Sequence, residues 1–203
     1  MQVGLVLAVV AVGVWLGVDV VAADAFGRRV HVVADGEVVR SGKLRPAALK
    51  RVIETHGIRT IIDLGAFEEG SGEDRLQQRT ADALGVTRYR FQLFGDTNGN
   101  PNHYVNALRI MQDPAMQPVL LHCGAGTERT GMCILYYRHL TEGLSFEAGY
   151  EDAKHIGHST ERNPIFLENL DEWGEAVIEA VRSGGAVDGV PPVPAPVPAG
   201  GHD

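Results

Sequence analysis

The sequence predicts an α/β fold: a central, mostly parallel sheet flanked by helices, preceded by an apolar N-terminal helix. Three observations support this prediction. Short β-rich runs alternate with helical segments at the spacing expected of βαβ units. Glycines such as Gly57 and Gly85 follow the helical segments as left-handed stops. The chain has 203 residues, which is enough for one domain with terminal appendages.

The predicted domain begins with a β-hairpin. Arg29–Ala34 and Glu37–Arg40 are β-rich and flank Asp35-Gly36, a dipeptide suited to a type I′ turn. Helices and strands then alternate in the order helix Pro46–His56, strand Arg59–Leu64, helix Glu73–Leu84, strand Thr87–Phe94, helix Pro101–Gln112 and strand Pro118–His122.

Three helices follow the last predicted strand. The first two cover Arg129–Glu142 and Ser145–His155, and the third is expected to begin at Pro164 with Asn163 as its cap. The folded domain is therefore expected over residues 26–183. Residues 184–203 are rich in glycine and proline, with PPVPAPVP at Pro191–Pro198, and predict a disordered, extended tail without a core.

Composition excludes two classes of protein. The 18 basic and 26 acidic residues give a net charge of −8. Such a chain lacks the basic face that a nucleic-acid binder needs, so no nucleic-acid partner is expected. The two cysteines are too few for a disulfide scaffold.

Residues 1–25 form an apolar segment, in which Val3–Val18 holds sixteen residues without a charge. A helix over Val3–Ala23 would be about 31 Å long, enough to cross the core of a bilayer. We therefore expect a membrane anchor. Small residues at Ala22 and Ala23 leave a cleaved signal peptide as an alternative, and a buried core helix is a third reading of the segment.

The charges beside this segment indicate its orientation. No basic residue precedes the segment, and five follow it closely: Arg28, Arg29, Arg40, Lys43 and Arg45. By the positive-inside rule, this distribution favours a cytoplasmic domain held by a membrane anchor. Export after signal cleavage is the alternative.

The segment PVLLHCGAGTERTG, Pro118–Gly131, has the pattern of a reactive site. A strand ends at Cys123, and Arg129 follows after five residues, where a helix begins. This order creates an anion site, because the loop amides and the positive end of the helix dipole point inward. Gly124 and Gly126 allow the backbone to curl at close range.

The residue types in this segment suit phosphate chemistry. Arg129 offers a planar fork for two phosphate oxygens over the sulfur of Cys123. The helix N-terminus, the loop amides and this arginine favour the thiolate form of the cysteine. Thr130 places a hydroxyl beside the sulfur, and His122 is expected to brace the loop through its ring nitrogens. Cys133 lies in an apolar helical run and is expected to be a core residue.

The run HCGAGTERTG resembles the signature of the cysteine-dependent protein tyrosine phosphatase superfamily, His-Cys-x5-Arg-Ser/Thr-Gly. The order of VVRSGKL at Val38–Leu44, GIRTIIDLG at Gly57–Gly65 and PVLLHC resembles its small atypical dual-specificity branch. The resemblance implies a phosphatase without metal or cofactor, in which Cys123 is the nucleophile. It also implies a set of phosphate-binding loop residues: Gly124, Ala125, Gly126, Thr127, Glu128 and Arg129.

Phosphoryl transfer to a thiolate also needs a proton donor for the leaving oxygen. In the resembled family this donor is an aspartate on a loop before the cysteine. Asp96 lies 27 residues before Cys123, between a strand and a helix, and is the candidate. A plain loop aspartate or a helix cap is the alternative for Asp96. Asp63 is the second candidate donor, because it ends a strand where ligands of α/β sheets gather.

Departures from the family pattern bear on the substrate. Phosphoinositide-directed relatives often carry loop lysines where this chain has Gly124 and Thr127, and Glu128 adds a negative charge. Gly65 stands where close relatives often have arginine. We therefore expect a phosphorylated protein as substrate, with phosphotyrosine first, phosphoserine or phosphothreonine as additional candidates, and small phosphate esters also accepted.

Two other functions remain open from the sequence. A membrane-tethered phosphate-binding module with weak or no turnover would use the same loop without a proton donor. A sulfurtransferase also begins its reactive loop with a cysteine after a strand. Arg129, Thr130 and the five-residue spacing favour phosphate over a persulfide.

Overall fold

A computed structural model describes residues 28–199 of the chain. A five-stranded sheet has the order β1-β2-β5-β3-β4, in which β1 is antiparallel to β2 and the other pairs are parallel. The strands are β1 His31–Ala34, β2 Val38–Ser41, β3 Thr60–Asp63, β4 Thr87–Arg90 and β5 Val119–His122. The mostly parallel α/β sheet is thus confirmed.

The six helices between and after the strands are α1 Pro46–His56, α2 Gly72–Ala83, α3 Asn102–Gln112, α4 Glu128–Glu142, α5 Phe146–His155 and α6 Ile165–Ser183. Their positions agree with the predicted helices to within two residues. Strand β4 is shorter than predicted and ends at Arg90. It ends there because Arg90 pairs with Asp63, where the neighbouring strand β3 also ends.

The sheet separates two apolar cores, because alternate residues of each buried strand face opposite sides. On one side, Val38, Ile62 and Leu121 pack with helices α3, α4 and α6. On the other, smaller side, Leu120 packs with residues of α1 and α2 such as Leu49. The carboxyl ends of β2, β3 and β5 are level, since Ser41, His122 and Asp63 are register partners.

The apolar N-terminal segment, residues 1–25, lies outside the described residues, and the expected anchor with it. Within residues 28–199, no helix combines the length and apolar character needed to cross a membrane. The predicted hairpin is present: β1 and β2 are joined by a turn in which Gly36 has φ +70° and the Glu37 amide donates to the Ala34 carbonyl (3.1 Å).

Residues 185–199, the tail, lie against the domain, although the sequence predicts a tail without packed structure. Val187 is buried, and its amide donates to Asn102 Oδ1 (2.8 Å). Farther along, Asn100 Nδ2 donates to the Pro191 carbonyl (2.7 Å). The Ala199 amide donates to the Arg88 carbonyl at the outer edge of β4 (2.7 Å). The buried side chain of Val187 and the outer edge of β4 thus hold a segment for which the composition predicts no packed structure.

Candidate active site

Cys123 follows the last residue of β5, between the ends of β2 and β3. The side chain is almost fully buried, and its Sγ accepts a hydrogen bond from the Gly126 amide (3.2 Å). The loop from Cys123 to Arg129 therefore curls over the sulfur and directs a backbone N–H at it. Such an amide stabilises negative charge on sulfur.

The loop is pressed against the segment that follows β2. Gly126 has φ +79°, and a Cβ there would lie 2.5 Å from the Gly42 nitrogen. A Cβ on Gly42 would in turn lie 2.8 Å from the Ala125 carbonyl oxygen, and the Lys43 amide donates to the Gly124 carbonyl (3.0 Å). At Gly124 itself a Cβ would meet nothing closer than 3.5 Å. Steric necessity thus applies to Gly126, not to Gly124.

Arg129 is held by one corner of its guanidinium. Nη1 donates to three backbone carbonyls, those of Leu64 (2.7 Å), Leu93 (3.0 Å) and Gly65. Its Nε is buried and has no hydrogen-bond partner among the described residues. The Nε–Nη2 edge of the fork is thereby left for a ligand, in an orientation set by the ends of two strands. This edge is the one that binds two oxygens of a phosphate side by side.

Thr130 and His122 flank the loop. Thr130 is fully buried, and its Oγ1 has no partner within residues 28–199, so the hydroxyl is free to donate. Neither ring nitrogen of His122 has a side-chain partner there, so bracing of the loop through these nitrogens stays a prediction. The ring packs edge-on against Phe67, with centroids 6.3 Å apart. Burial lowers the pKa of His122, against the opposing effects of the Asp63 carboxylate and of its interaction with the Cys123 backbone.

Glu128 connects the loop to the start of α6. Its Oε2 accepts from Asn163 Nδ2 (2.9 Å) and lies 2.7 Å from His158 Nδ1. The prediction that Asn163 caps α6 is wrong, because Pro164 occupies the cap position and no side chain caps the helix. The side chain of Asn163 contacts the loop instead. The carboxylate of Glu128 is therefore satisfied by protein groups.

Asp96 lies half-buried in the loop that connects β4 to α3. Its Oδ1 accepts from the Asn98 amide (3.1 Å) and its Oδ2 from Asn98 Nδ2 (2.9 Å). Asn163 Nδ2 reaches its carbonyl (3.4 Å), and Asn169 Nδ2 donates to Thr97 Oγ1 (2.9 Å). These contacts attach the loop to α6 and, through Asn163, to Glu128. Among residues 28–199, the hydrogen bonds of the Asp96 carboxylate are both with Asn98.

Asp63 is committed to the scaffold. It is fully buried, with Oδ1 accepting from the Ala66 amide (2.6 Å) and Oδ2 from Arg88 Nη2 (2.5 Å). Arg88 also pairs with Asp74 (2.7 Å). Both carboxylate oxygens of Asp63 are bound by scaffold donors, one of them a buried guanidinium, so the geometry does not support Asp63 as the acid.

Replacing Asp63 by Asn is therefore expected to cost stability. The change removes one charge of a buried ion pair, which should lower the free energy of unfolding by about 3 kcal/mol. The loss stays at the lower end of the range for such changes because Asp74 still pairs with Arg88. Urea unfolding would measure the difference, with exposed Asp171→Asn as the matched control. A loss no larger than that of the control would contradict a structural role for Asp63.

Arg40 is a site residue that the sequence does not single out, because in the sequence it is only one of the charges that follow the apolar segment. Its side chain is 1% exposed, its Nη2 donates to the Gly126 carbonyl, and its Nε and Nη1 lack partners among residues 28–199. Burial lowers the pKa of Arg40 to about 10, while the nearby Cys123 raises it. The buried guanidinium thus supports the loop from below and adds positive charge near the sulfur. A single arginine within a short apolar strand was the available signal.

A cleft of about 390 Å³ lies beside Arg129, the last residue of the loop. Phe67 and Phe94 supply aromatic walls. Two acidic side chains, Glu68 and Glu69, line the same cleft. Arg90 is there as well, but it is paired with Asp74 (3.3 Å) and Glu69 (3.6 Å). Within the described residues no group of three or more His, Cys, Asp or Glu side chains could hold a metal ion.

A buried cysteine and an oriented arginine at the two ends of one loop, between a central strand and a helix, are the residue types that cysteine-dependent phosphoryl transfer requires. Sequence comparison is more specific, because the model of the tyrosine phosphatase family matches residues 25–143. The chain belongs to the tyrosine phosphatase family. No curated protein matches it in sequence.

Solved structures share the fold. The core catalytic domain of the PP-IP phosphatase SIW14 from S. cerevisiae is 24% identical, with a TM-score of 0.64 over 77% of this chain and 92% of that one. TpbA from P. aeruginosa is 16% identical, with a TM-score of 0.61 over 76% of this chain and 91% of that one. A second TpbA structure, 15% identical with a TM-score of 0.59, covers 77% of this chain and 91% of its own and holds pTyr.

Proposed function

We propose that the chain hydrolyses phosphotyrosine in proteins through a phosphocysteine intermediate, with phosphoserine or phosphothreonine as additional substrates. The free Nε–Nη2 edge of Arg129, at the end of the loop that begins with Cys123, carries the proposal. A tetrahedral phosphate on this edge would present its phosphorus to the sulfur.

The reaction then has two steps. The Cys123 thiolate attacks phosphorus, the S–P bond forms, and the ester P–O bond breaks while Asp96 protonates the leaving oxygen. Water, deprotonated by the Asp96 carboxylate, then cleaves the S–P bond. The hydroxyl of Thr130 donates to the departing thiolate, and the loop amides with Arg129 hold the equatorial oxygens in both steps.

The character of the cleft supports an aryl monoester over a polyanion. Phe67 and Phe94 can pack against a phenyl ring. Arg90 is neutralised by its acidic partners, and Glu68 and Glu69 would repel further phosphates. TpbA, which shares the fold, binds pTyr in one of its structures. SIW14, which shares it too, is a PP-IP phosphatase, so the two substrate classes need a direct comparison.

The decisive experiment compares kcat/KM for three substrates: an aryl phosphate, a phosphotyrosine peptide and an inositol pyrophosphate. We expect the two aryl esters to be hydrolysed efficiently and the inositol compound poorly. Acid quenching during turnover should trap phosphate on Cys123, detected by mass spectrometry. A preference for the inositol pyrophosphate would overturn the substrate class, and an absence of all turnover would overturn the activity.

Asp96→Asn tests the proton donor. The amide keeps an oxygen that can accept from Asn98 but has no acidic proton. We expect kcat to fall about 10²-fold for phosphotyrosine and much less for a dinitrophenyl phosphate, whose leaving group departs without protonation. Steady-state kinetics on both esters would measure this. Equal losses on both would show that Asp96 is not the acid.

One observation favours a second candidate function, a phosphate-binding module with weak turnover. Both carboxylate oxygens of Asp96 accept hydrogen bonds from Asn98, so this carboxylate is held within its own loop. This second function would hold if the unmodified chain binds a phosphopeptide without releasing phosphate and if Asp96→Asn leaves kcat unchanged.

A further inference from the structure

The tail runs antiparallel along the outer edge of β4. Pro198 lies opposite Tyr89, and the Ala199 amide donates to the Arg88 carbonyl (2.7 Å). Proline has no amide proton, and five of the eight residues from Pro191 to Pro198 are prolines, so the tail offers the strand few donors. Val197 is 69% exposed. The loosely held tail thus covers the edge of β4, which could pair instead with a peptide that offers more amide donors.

The space beneath the tail adjoins the catalytic cleft. A cavity of about 410 Å³ lies between residues 194–199 and the side chains of Arg88, Arg90 and His103. Three residues, Glu69, Arg90 and Gln92, line both this cavity and the cleft beside Arg129. Glu69 Oε2 accepts from Gln92 Nε2 (2.8 Å) and pairs with Arg90 (3.6 Å), so a small group of side chains separates the two spaces.

We propose that the edge of β4 is a docking surface for the polypeptide around the phosphorylated residue, and that the tail occupies this surface in competition with the substrate. This inference rests on the proposed function. A strand edge carries unpaired N–H and C=O groups, and an extended peptide satisfies them by adding as a further strand. The tail shows that an antiparallel segment fits there. A substrate polypeptide that leaves the cleft across Glu69 and Gln92 would reach the edge of β4 where the tail lies.

The first test removes residues 191–203, which leaves Val187 in the core. The substrates are an aryl phosphate and a phosphotyrosine peptide with about ten flanking residues, long enough to span about 33 Å as a strand. We expect truncation to raise kcat/KM for the long peptide about 2- to 10-fold, the effect of about one backbone hydrogen bond. The aryl phosphate should be hydrolysed at the same rate by both chains.

The second test changes one donor in the full chain. Ala199→Pro removes the amide that bonds the Arg88 carbonyl, and Val197→Pro is the control, because no hydrogen bond of that amide occurs within the described residues. Ala199→Pro should reproduce the truncation for the long peptide, and Val197→Pro should not. Unchanged kinetics in the truncated chain would overturn the proposal. An equal gain in kcat/KM for the aryl phosphate would also overturn it, because the tail would then act through Asn100 on the loop that carries Asp96.

Failure of the proposed function would be visible separately, as the absence of hydrolysis of either ester by any of these chains. Binding would still decide the docking proposal. The affinity of a fluorescent long phosphopeptide for Cys123→Ser, with and without residues 191–203, can be measured by anisotropy. Tighter binding without the tail supports docking at β4, and equal binding overturns it.

Discussion

Cys123→Ser is expected to abolish hydrolysis, lowering kcat by about 10⁴-fold or more, because a serine hydroxyl is neither ionised at neutral pH nor a good leaving group from phosphorus. The Gly126 amide, which donates to the sulfur, would still find an acceptor in the serine oxygen. Phosphate binding should therefore survive. We expect an unchanged Kd for a phosphotyrosine peptide together with the loss of turnover, measured by calorimetry and by an aryl phosphate assay.

The matched control for this substitution is Cys133→Ser. Cys133 is also fully buried, but it lies in α4 within the apolar core, and burial strongly raises the pKa of its thiol. Its replacement should lower the free energy of unfolding while kcat of the folded fraction stays near that of the unmodified chain. Turnover that persists in Cys123→Ser, or that disappears in Cys133→Ser without unfolding, would contradict the assignment of the nucleophile.

Arg129→Lys is expected to lower kcat about 10³-fold, although it preserves the charge. The guanidinium divides its tasks: Nη1 holds the carbonyls of Leu64, Gly65 and Leu93, and the opposite edge stays available for two oxygens. A lysine has one nitrogen and cannot do both. If its ammonium binds the carbonyls, the phosphate loses its ligand. If it binds the phosphate, three carbonyls lose their donor.

The control for Arg129→Lys is Arg51→Lys, an exposed position on α1 that should leave kcat unchanged. The two kinetic constants separate the roles of the arginine. A fall in kcat with a near-constant KM indicates lost transition-state contacts, whereas a rise in KM alone would mean that Arg129 binds substrate and transition state equally. Activity retained at more than a tenth of the original value would contradict a bidentate role.

The sequence predicted most of the fold because its signals are local. Gly57 and Gly36 adopt the positive φ values that their turn and cap positions require, and the alternation of helices and strands led directly to the parallel sheet. The end of β4 could not be predicted, because it is set by the end of β3, a neighbour in space. The packing of the tail depends in the same way on Val187 meeting Asn102 and on the open edge of β4.

The residues of the site likewise divide into those that a local motif predicts and those that only the folded chain brings together. Cys123 and Arg129 are separated by five residues, so one contiguous motif contains both and predicts their chemistry. Arg40 supports the same loop from 83 residues earlier in the chain, and no short pattern joins the two. Asn163 was assigned to a helix cap because its neighbour is proline, whereas tertiary contact directs its amide to Glu128. Residues that position a reactive loop belong to the assembled fold, and the motif does not specify them.

The segment just before β1 has a practical consequence for anyone handling this protein. The carbonyl of Arg28 accepts from the Gly42 amide (2.8 Å), and Arg29 Nη1 donates to the Ala125 carbonyl of the reactive loop (3.0 Å). A shortened chain that began near Arg28 with a purification handle or a fluorescent reporter would place that addition within two residues of these contacts. Such additions should be spaced away from Arg28, so that the bonds to Gly42 and to the reactive loop are kept.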